Sequence, residues 1–548
     1  MLRARSVYTR KRKIDEVQIN SSDSDTNISL DNNYWLIGES DNEAEGIQQS
    51  NNGPQESAQD VLSESENDNV PLSERLDRLR KDLTWTRQSE QSPFEPILHP
   101  FTDLNAGVQS ESGLNRYSSP AEILKKFLSE DMIEIICYET NKYAAKKKNA
   151  LSLANKLKPQ SRILKYTETD PDEMYTFHAI IILMGIIRKP SLEMYWTKDT
   201  MLATPFFSSV MTYDRFRQLL TLLHFSENED DSTDKLEKIR LVQELLVENF
   251  KAVYRPGKDI SIDESLIPFK GRLSFRQCNR NKRARFGIKV YKNCESKTGY
   301  VYDLNIYTGK DRENQRARKG IGISGTVVKT LLGDLAGQGR LLYIYNWYTS
   351  PLLCKELVDE KTNVCGTVRE NRKYMPKENT KNLRVGDMTV WYTPKLAFLA
   401  WKDKKVVTML TTMHNPAMID TGKIDRLTKK KIMKPNVVIS YNNNMGGVDK
   451  TDQSISSYET IHKTVKWYHK LYYHLFDTAI YNAFVVYNHL QTDSKKKTSL
   501  QFHRALAAEL LESIVINTHH LRSIIANSKI LYARHEITIH PIFQTIRR

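Results

Sequence analysis

Carboxylates, thiols, imidazoles and an excess of cations are the groups in this 548-residue chain that could do chemistry, and their spacing tells them apart. Cys137, Cys278, Cys294, Cys354 and Cys365 lie far from one another with no Cys-x-x-Cys pair, so the pattern indicates neither a disulfide framework nor a zinc module and suits a reducing compartment. His519, His520, His535 and His540 lack companion acids or thiols at metal spacing and read as ordinary histidines. Asp263 stands in the alternating stretch Asp259-Ile260-Ser261-Ile262-Asp263-Glu264, where, taken alone, it is a strand-edge carboxylate or a metal ligand. The cations give a stronger signal. Net charge is +15, but residues 14 to 73 hold fourteen Asp or Glu and no Lys or Arg, while residues 1 to 13 contribute +6; residues 74 to 548 therefore carry +23. Lys and Arg that neutralise phosphates release condensed counterions, so a polyanion partner is expected, with a solvated basic surface as the alternative.

The elements that must position these groups fall into blocks. Residues 1 to 97 are expected to form a disordered basic and acidic N-terminal region, because its stretch from 14 to 73 cannot bury enough apolar surface to offset chain entropy. Over residues 98 to 257, apolar side chains recur three and four apart, which predicts an all-helical domain. Its clearest helix is Pro120-Ala121-Glu122-Ile123-Leu124-Lys125-Lys126-Phe127-Leu128, capped by Ser118 or Ser119, with others over 132 to 143, 171 to 187, 213 to 224 and 235 to 254. Near residue 258 the period becomes alternating. Strands are predicted at 259 to 264, 287 to 291 and 300 to 307, then a helix at 326 to 335, a strand at 340 to 347, a helix after Pro351 and a strand at 363 to 368. Three consecutive strands followed by alternating helix and strand is the order of an RNase H-like α/β layer, its first part over 258 to 368 and its helical second part over 437 to 492.

Between those parts, residues 369 to 436 show short strands near 388 to 392, 397 to 401 and 405 to 410 and the basic run Lys429-Lys430-Lys431, which read as a β-rich insertion. A long helix over 464 to 490 repeats Trp467, Tyr468, Tyr472 and Phe476 on one side, the pattern of core more often than of a base-stacking platform. Residues 493 to 548 form a tail with helices at 499 to 516 and 519 to 532. No stretch reaches the roughly 18 apolar residues of a membrane span, and Met1-Leu2-Arg3-Ala4-Arg5 begins no signal core, so neither a membrane partner nor secretion is expected.

Several blocks, in order, resemble the piggyBac transposase family. They are Ser261-Ile262-Asp263-Glu264-Ser265-Leu266-Ile267-Pro268-Phe269-Lys270-Gly271-Arg272, Phe286-Gly287-Ile288-Lys289, Asn346-Trp347-Tyr348-Thr349-Ser350-Pro351, Gly366-Thr367-Val368-Arg369-Glu370-Asn371-Arg372-Lys373 and Gly446-Gly447-Val448-Asp449-Lys450-Thr451-Asp452. The likeness spans roughly residues 98 to 490. It implies an RNase H-like core on which three Asp residues hold two divalent ions, Mg²⁺ or Mn²⁺, to cut DNA at element ends and rejoin it at TTAA targets. Such ions suit carboxylate oxygens and clamp the attacking and leaving oxygens of an in-line displacement. By the same likeness Asp263 and Asp449 match the first and third catalytic and metal-binding positions, and Asp452 is the additional acid of its block. Lys282, Arg285, Lys289, Arg369, Arg372 and Lys373 resemble DNA-contacting positions, their alternative being solvated strand ends. Double-stranded DNA as partner, a homodimer and a nuclear location follow as expectations. Arg10-Lys11-Arg12-Lys13 reads as a nuclear address or a nonspecific tail.

The chain departs from the family at two places. Tyr345 stands where the second Asp belongs, and no Asp or Glu lies between 341 and 350 to replace it. A phenol of pKa about 10 is neutral at physiological pH and a poor ligand for Mg²⁺. Asn346 offers only an uncharged amide, and on a strand it would point to the opposite face from Tyr345. The second departure is that no cysteine follows Cys365, whereas many family members carry a Cys-rich zinc module at their C-terminus. The sequence thus favours a transposable element-derived DNA-binding protein with impaired catalysis. The rivals are an active transposase with an altered site and a protein-interaction scaffold that does not touch DNA.

Overall fold

The computed structural model describes residues 82–89, 92–226, 233–279, 285–309, 320–377, 380–426, 428–460 and 464–515. The expected disorder of residues 14 to 73, the basic head, Lys282, the four C-terminal histidines and the helix at 519 to 532 lie outside them. Two short strands come first, β1 (Thr86–Arg87) and β2 (Gly107–Val108). Six helices follow: α1 (Pro120–Phe127), α2 (Glu130–Leu153), α3 (Pro171–Ile186), α4 (Pro205–Val210), α5 (Tyr213–Leu222) and α6 (Glu237–Val253). Their starts are written in the sequence. Ser119 accepts from the Glu122 amide while Glu122 reaches back to Ser119, with Pro120 entering the first turn, and at α3 Asp170 accepts from the Glu173 amide with Pro171 in the first turn.

After β3 (Tyr254–Arg255), which pairs antiparallel with β2, the chain enters a mixed sheet. Its central strands are β4 (Asp259–Pro268), the short β5 (Gln277–Cys278), β6 (Phe286–Glu295) and β7 (Val301–Ile306). Helix α7 (Gly322–Leu332), strand β8 (Leu341–Ile344), helix α8 (Pro351–Asp359) and strand β9 (Asn363–Thr367) come next. β7, β6 and β4 are antiparallel neighbours, and β8 then β9 add to the other side of β4 in parallel. The sheet continues through β10 (Met388–Tyr392), β11 (Ala397–Lys402) and β12 (Val406–Thr411), because β12 pairs antiparallel with β9 and β1 closes the far edge on β10. The strands between 388 and 411 thus extend the central sheet. A separate ribbon, β13 (Met418–Ile424) with β14 (Lys431–Pro435), precedes helices α9 (Asn436–Asn444), α10 (Gly447–Ser457), α11 (Trp467–Leu490) and α12 (Ser499–Val515).

One sheet face buries Ile260, Ile262, Tyr291, Leu342 and Ile344 against Val328, Leu331, Leu353 and Leu357 of α7 and α8. The other face receives α10. A Cβ on Gly447 would collide with Ser261 Oγ, so only glycine lets the helix start lie this close to β4. Tyr468, Tyr472 and Phe476 of α11 are buried, as core aromatics should be, with Tyr472 stacked on Phe225 at 4.4 Å. The folded body begins earlier than the expected boundary at residue 98. Phe94 is buried, Trp85 Nε1 donates to the Tyr374 carbonyl at 2.6 Å, and β1 is a sheet edge. Single aromatics set among polar residues gave no periodic signal to mark this. Further on, Gly339 (φ 73°) lies against the Pro100 carbonyl, and buried Arg340 pairs with Asp103, which ties the segment before α1 to the sheet.

Candidate functional site

The parallel ladder pairs Ile262 of β4 with Ile344, the last residue of β8. The next residues, Asp263 and Tyr345, therefore leave the pairing together. This contradicts the strand expected through residue 347. The Tyr345 carbonyl accepts from the Tyr348 amide at 3.0 Å and the Thr349 amide at 3.2 Å, so Asn346 sits in a turn and the alternating-face argument for it does not apply. Ile344 and Tyr345, adjacent in sequence, both pack on the core beneath α7 and α8, an arrangement an extended strand forbids. On that face Tyr345 Oη donates to Glu264 Oε2 at 2.5 Å, and its ring meets Tyr348 edge-on at 5.0 Å. Burial, then the Glu264 charge, pushes the phenol well above its ordinary value, so it stays protonated.

Asp263 lies on the opposite face of β4, half-buried, its Oδ1 accepting from the Glu264 amide at 2.8 Å. Asp449 is exposed in the first turn of α10, where a carboxylate is favoured by the helix dipole. Tyr441 of α9 lies near both: burial, with the charges of Asp263 and Asp449 adding to it, pushes its phenol up to about 12. Asp452, one turn beyond Asp449, accepts from Ser265 Oγ at 2.7 Å and from Lys292 Nζ at 2.9 Å. Burial opposes ionisation of Asp452, but the Lys292 charge and His474 outweigh it and hold the carboxyl below its usual range.

Lys292 is the residue that sequence reasoning missed. It is directly opposite Asp263 in the β4–β6 register, so both side chains share the face that α10 covers, and it is completely buried. An ammonium inside a strand that otherwise buries its residues is a signal, because an unpaired buried cation is too costly to persist.

The cations singled out as DNA contacts lie in different surroundings. Arg285 is exposed just before β6, and Arg369 and Lys373 are exposed beyond β9. Lys289 Nζ sits 4.6, 4.5 and 5.1 Å from the rings of Tyr291, Tyr307 and Trp347. Arg372 donates to the Asn346 carbonyl at 3.1 Å and to that of Trp347, while Arg369 Nε approaches Asn346 Oδ1 at 3.4 Å. Two of the six thus hold the turn after Tyr345, and one is enclosed by aromatic rings.

A pair of divalent ions needs carboxylates from separate elements converging on one point. Among the described residues no group of three Asp, Glu, His or Cys is arranged to hold a metal. Asp263 and Asp449 remain, Asp452 is bonded to an internal ammonium, and the second position is a protonated phenol facing the other way. The donor set does not fit a two-ion clamp.

A mixed sheet with acidic residues on its central strand and on the helix laid across it, in this order, defines a protein of the transposase class. A family model described as Transposase IS4 matches residues 119–484, and the chain belongs to the piggyBac-type transposase family. It is 28% identical over 406 residues to the human PiggyBac transposable element-derived protein 3, a match that covers 72% of this chain and 65% of that protein. It is 26% identical over 421 residues to the human PiggyBac transposable element-derived protein 2, covering 72% and 66%. Among solved structures, a cryo-EM structure of the piggyBac transposase synaptic complex with hairpin DNA aligns with a TM-score of 0.64 at 26% identity, over 77% of this chain and 87% of that one. The family typically uses divalent metal ions.

Proposed function

We propose that this chain is a transposable element-derived protein with an RNase H-like core that binds duplex DNA in the nucleus, as a homodimer, and does not cut it. The reading divides the body into a helical domain to about residue 257 that serves dimerisation and DNA contact, and a core around β4 and α10 that keeps Asp263, Asp449 and Asp452 as remnants of a catalytic set. The observation that carries it is the bond from Tyr345 to Glu264, which fills the second acidic position with a neutral ring. Lys292 bonded to Asp452 supports it by supplying from the chain a positive charge where a metal ion would bring its own. DNA binding is supported by the charge of +23 on residues 74 to 548 and by the DNA-bound state of the structural relative. The whole chain should bind duplex DNA with an affinity that falls steeply between about 50 and 200 mM salt, as roughly six or more phosphate contacts require. Binding that ignores salt rejects DNA as partner. Metal-dependent nicking or TTAA joining that Asp263→Ala abolishes would show a working transposase instead.

A further inference from the structure

The β13–β14 ribbon stands apart from the sheet that organises the rest of the core. Its strands pair only with each other, with an irregularity between Asp420 and Ile424, and Ile419, Asp420, Gly422, Lys423 and Ile424 of β13 and Lys431 and Met433 of β14 are exposed. Seven strand residues reach about 20 Å. The base is fixed. Asn436 at the start of α9 donates its amide to the Ala417 carbonyl at 2.9 Å and accepts from the Ala417 amide at 3.1 Å, and Asn436 Nδ2 donates to the Asn415 carbonyl at 2.9 Å. Two antiparallel strands alone are marginal in water, so a ribbon that no layer of the described residues covers is an element suited to a partner.

Its charge says which partner. Between Met418 and Pro435 stand Lys423, Arg426, Lys429, Lys430, Lys431 and Lys434 against only Asp420 and Asp425. Both acids are engaged inside the ribbon. Asp420 pairs with Lys431 at 2.9 Å, and Asp425 closes the turn by accepting from the Thr428 amide at 2.6 Å and its hydroxyl at 2.9 Å. Lys423, Arg426, Lys429, Lys430 and Lys434 make no ion pair with a described residue, and the first four are exposed around the turn.

We propose that the β13–β14 ribbon is a DNA-docking arm that enters the major groove of duplex DNA, with Lys423, Arg426, Lys429 and Lys430 on the phosphates that border it. The proposal rests on the DNA-binding reading above and names the element that performs it. The major groove of B-form DNA, about 12 Å wide, admits a two-stranded ribbon, whereas that of A-form RNA is too deep and narrow for side chains to read. Because the chain passes from the ribbon through α9 into α10, a duplex held by the arm lies on a segment that leads directly to Asp449.

The test uses the full chain and a Lys423→Gln/Arg426→Gln/Lys429→Gln/Lys430→Gln variant, with fluorescence anisotropy on a labelled DNA duplex over a salt series and double-stranded RNA as competitor. The substituted side chains are exposed, so circular dichroism and thermal melting should match those of the parent. The variant should bind roughly tenfold or more weakly at 100 mM salt, and its log–log salt slope should fall by about 3 to 4, the value for four lost phosphate contacts. RNA should compete poorly. If the parent binds DNA steeply and the variant keeps its affinity and slope, the arm is not the docking element, and the acidic residues 14 to 73 of the chain become its candidate occupant. Equal competition by RNA overturns the groove geometry. If the parent itself fails to bind DNA, the DNA-binding reading falls and the arm proposal with it.

Discussion

Tyr345 Oη and Glu264 Oε2 meet at 2.5 Å on the face of β4 opposite the one that presents Asp263. The side chain at the position where the family resemblance places a second acid thus packs on the core beneath α7 and α8 and binds a carboxylate there. Tyr345→Phe should cost about 1.5 to 3 kcal/mol, the range for a hydrogen bond to a charged group, because it leaves Glu264 half-buried without its phenol donor. Urea denaturation of the two proteins measures it; equal midpoints would show that Glu264 turns to water and that the bond holds nothing in place.

Asp103 provides a second check, on what joins the segment before α1 to the sheet. Arg340 is completely buried and Arg255 approaches the same carboxylate at 2.5 Å. Asp103→Ala should destabilise by about 3 to 5 kcal/mol, since it strands a buried guanidinium. Denaturant unfolding reads this directly, and a loss below about 1 kcal/mol would mean that the carbonyls of Pro256 and Leu335 suffice for Arg340.

The sequence made some of these relationships legible and hid others. Helix starts were visible because their chemistry is local: Ser119 with Pro120 and Glu122, and Ser350 with Pro351, satisfy their own first turns. Strands β4, β6, β7 and β9 were visible through alternation, and Asp263 and Asp449 through the blocks around them. The end of β8 was not. Leu341 to Trp347 is apolar enough to continue a strand, and only the closure of Tyr348 and Thr349 on the Tyr345 carbonyl stops it. Lys292 was missed for a different reason: its place in an apolar strand was a signal, but its partner Asp452 is 160 residues away. The carbonyls that Arg372 holds, those of Asn346 and Trp347, were likewise invisible in the sequence.

Lys292 also makes a prediction with a pH signature. Asp452 titrates below its ordinary value in the folded protein, so its pairing adds stability that is fully present above pH about 4 and is lost as pH falls through the lowered value. In Lys292→Met the dominant cause of that depression is gone. The variant should be less stable than the parent at pH 6 to 7, and the gap should narrow as pH falls, beginning where burial without the lysine lets Asp452 take up its proton in the variant and ending once Asp452 is protonated in both. Thermal melting across pH 2.5 to 7 tests the sign. A gap that stays constant through the acid range would place the lysine's contribution in packing and not in its charge.

The last prediction joins Tyr345 and Lys292. Tyr345→Asp places a carboxylate just after β8, one step beyond the Ile262–Ile344 pair. In that variant the short side chain no longer reaches the core beneath α7 and α8, and three acids on β4, after β8 and on α10 become available to a hard cation. Calorimetric titration with Mg²⁺ or Mn²⁺ should therefore detect binding in Tyr345→Asp and little or none in the parent. Adding Lys292→Met should strengthen it further, because a fixed ammonium on the Asp263 face repels a divalent ion and occupies Asp452. The order expected is parent, then the single variant, then the double. Tight binding by the parent would show that Asp263 and Asp449 suffice for a metal site, and an unimproved double variant would show that Lys292 is no obstacle to the ion.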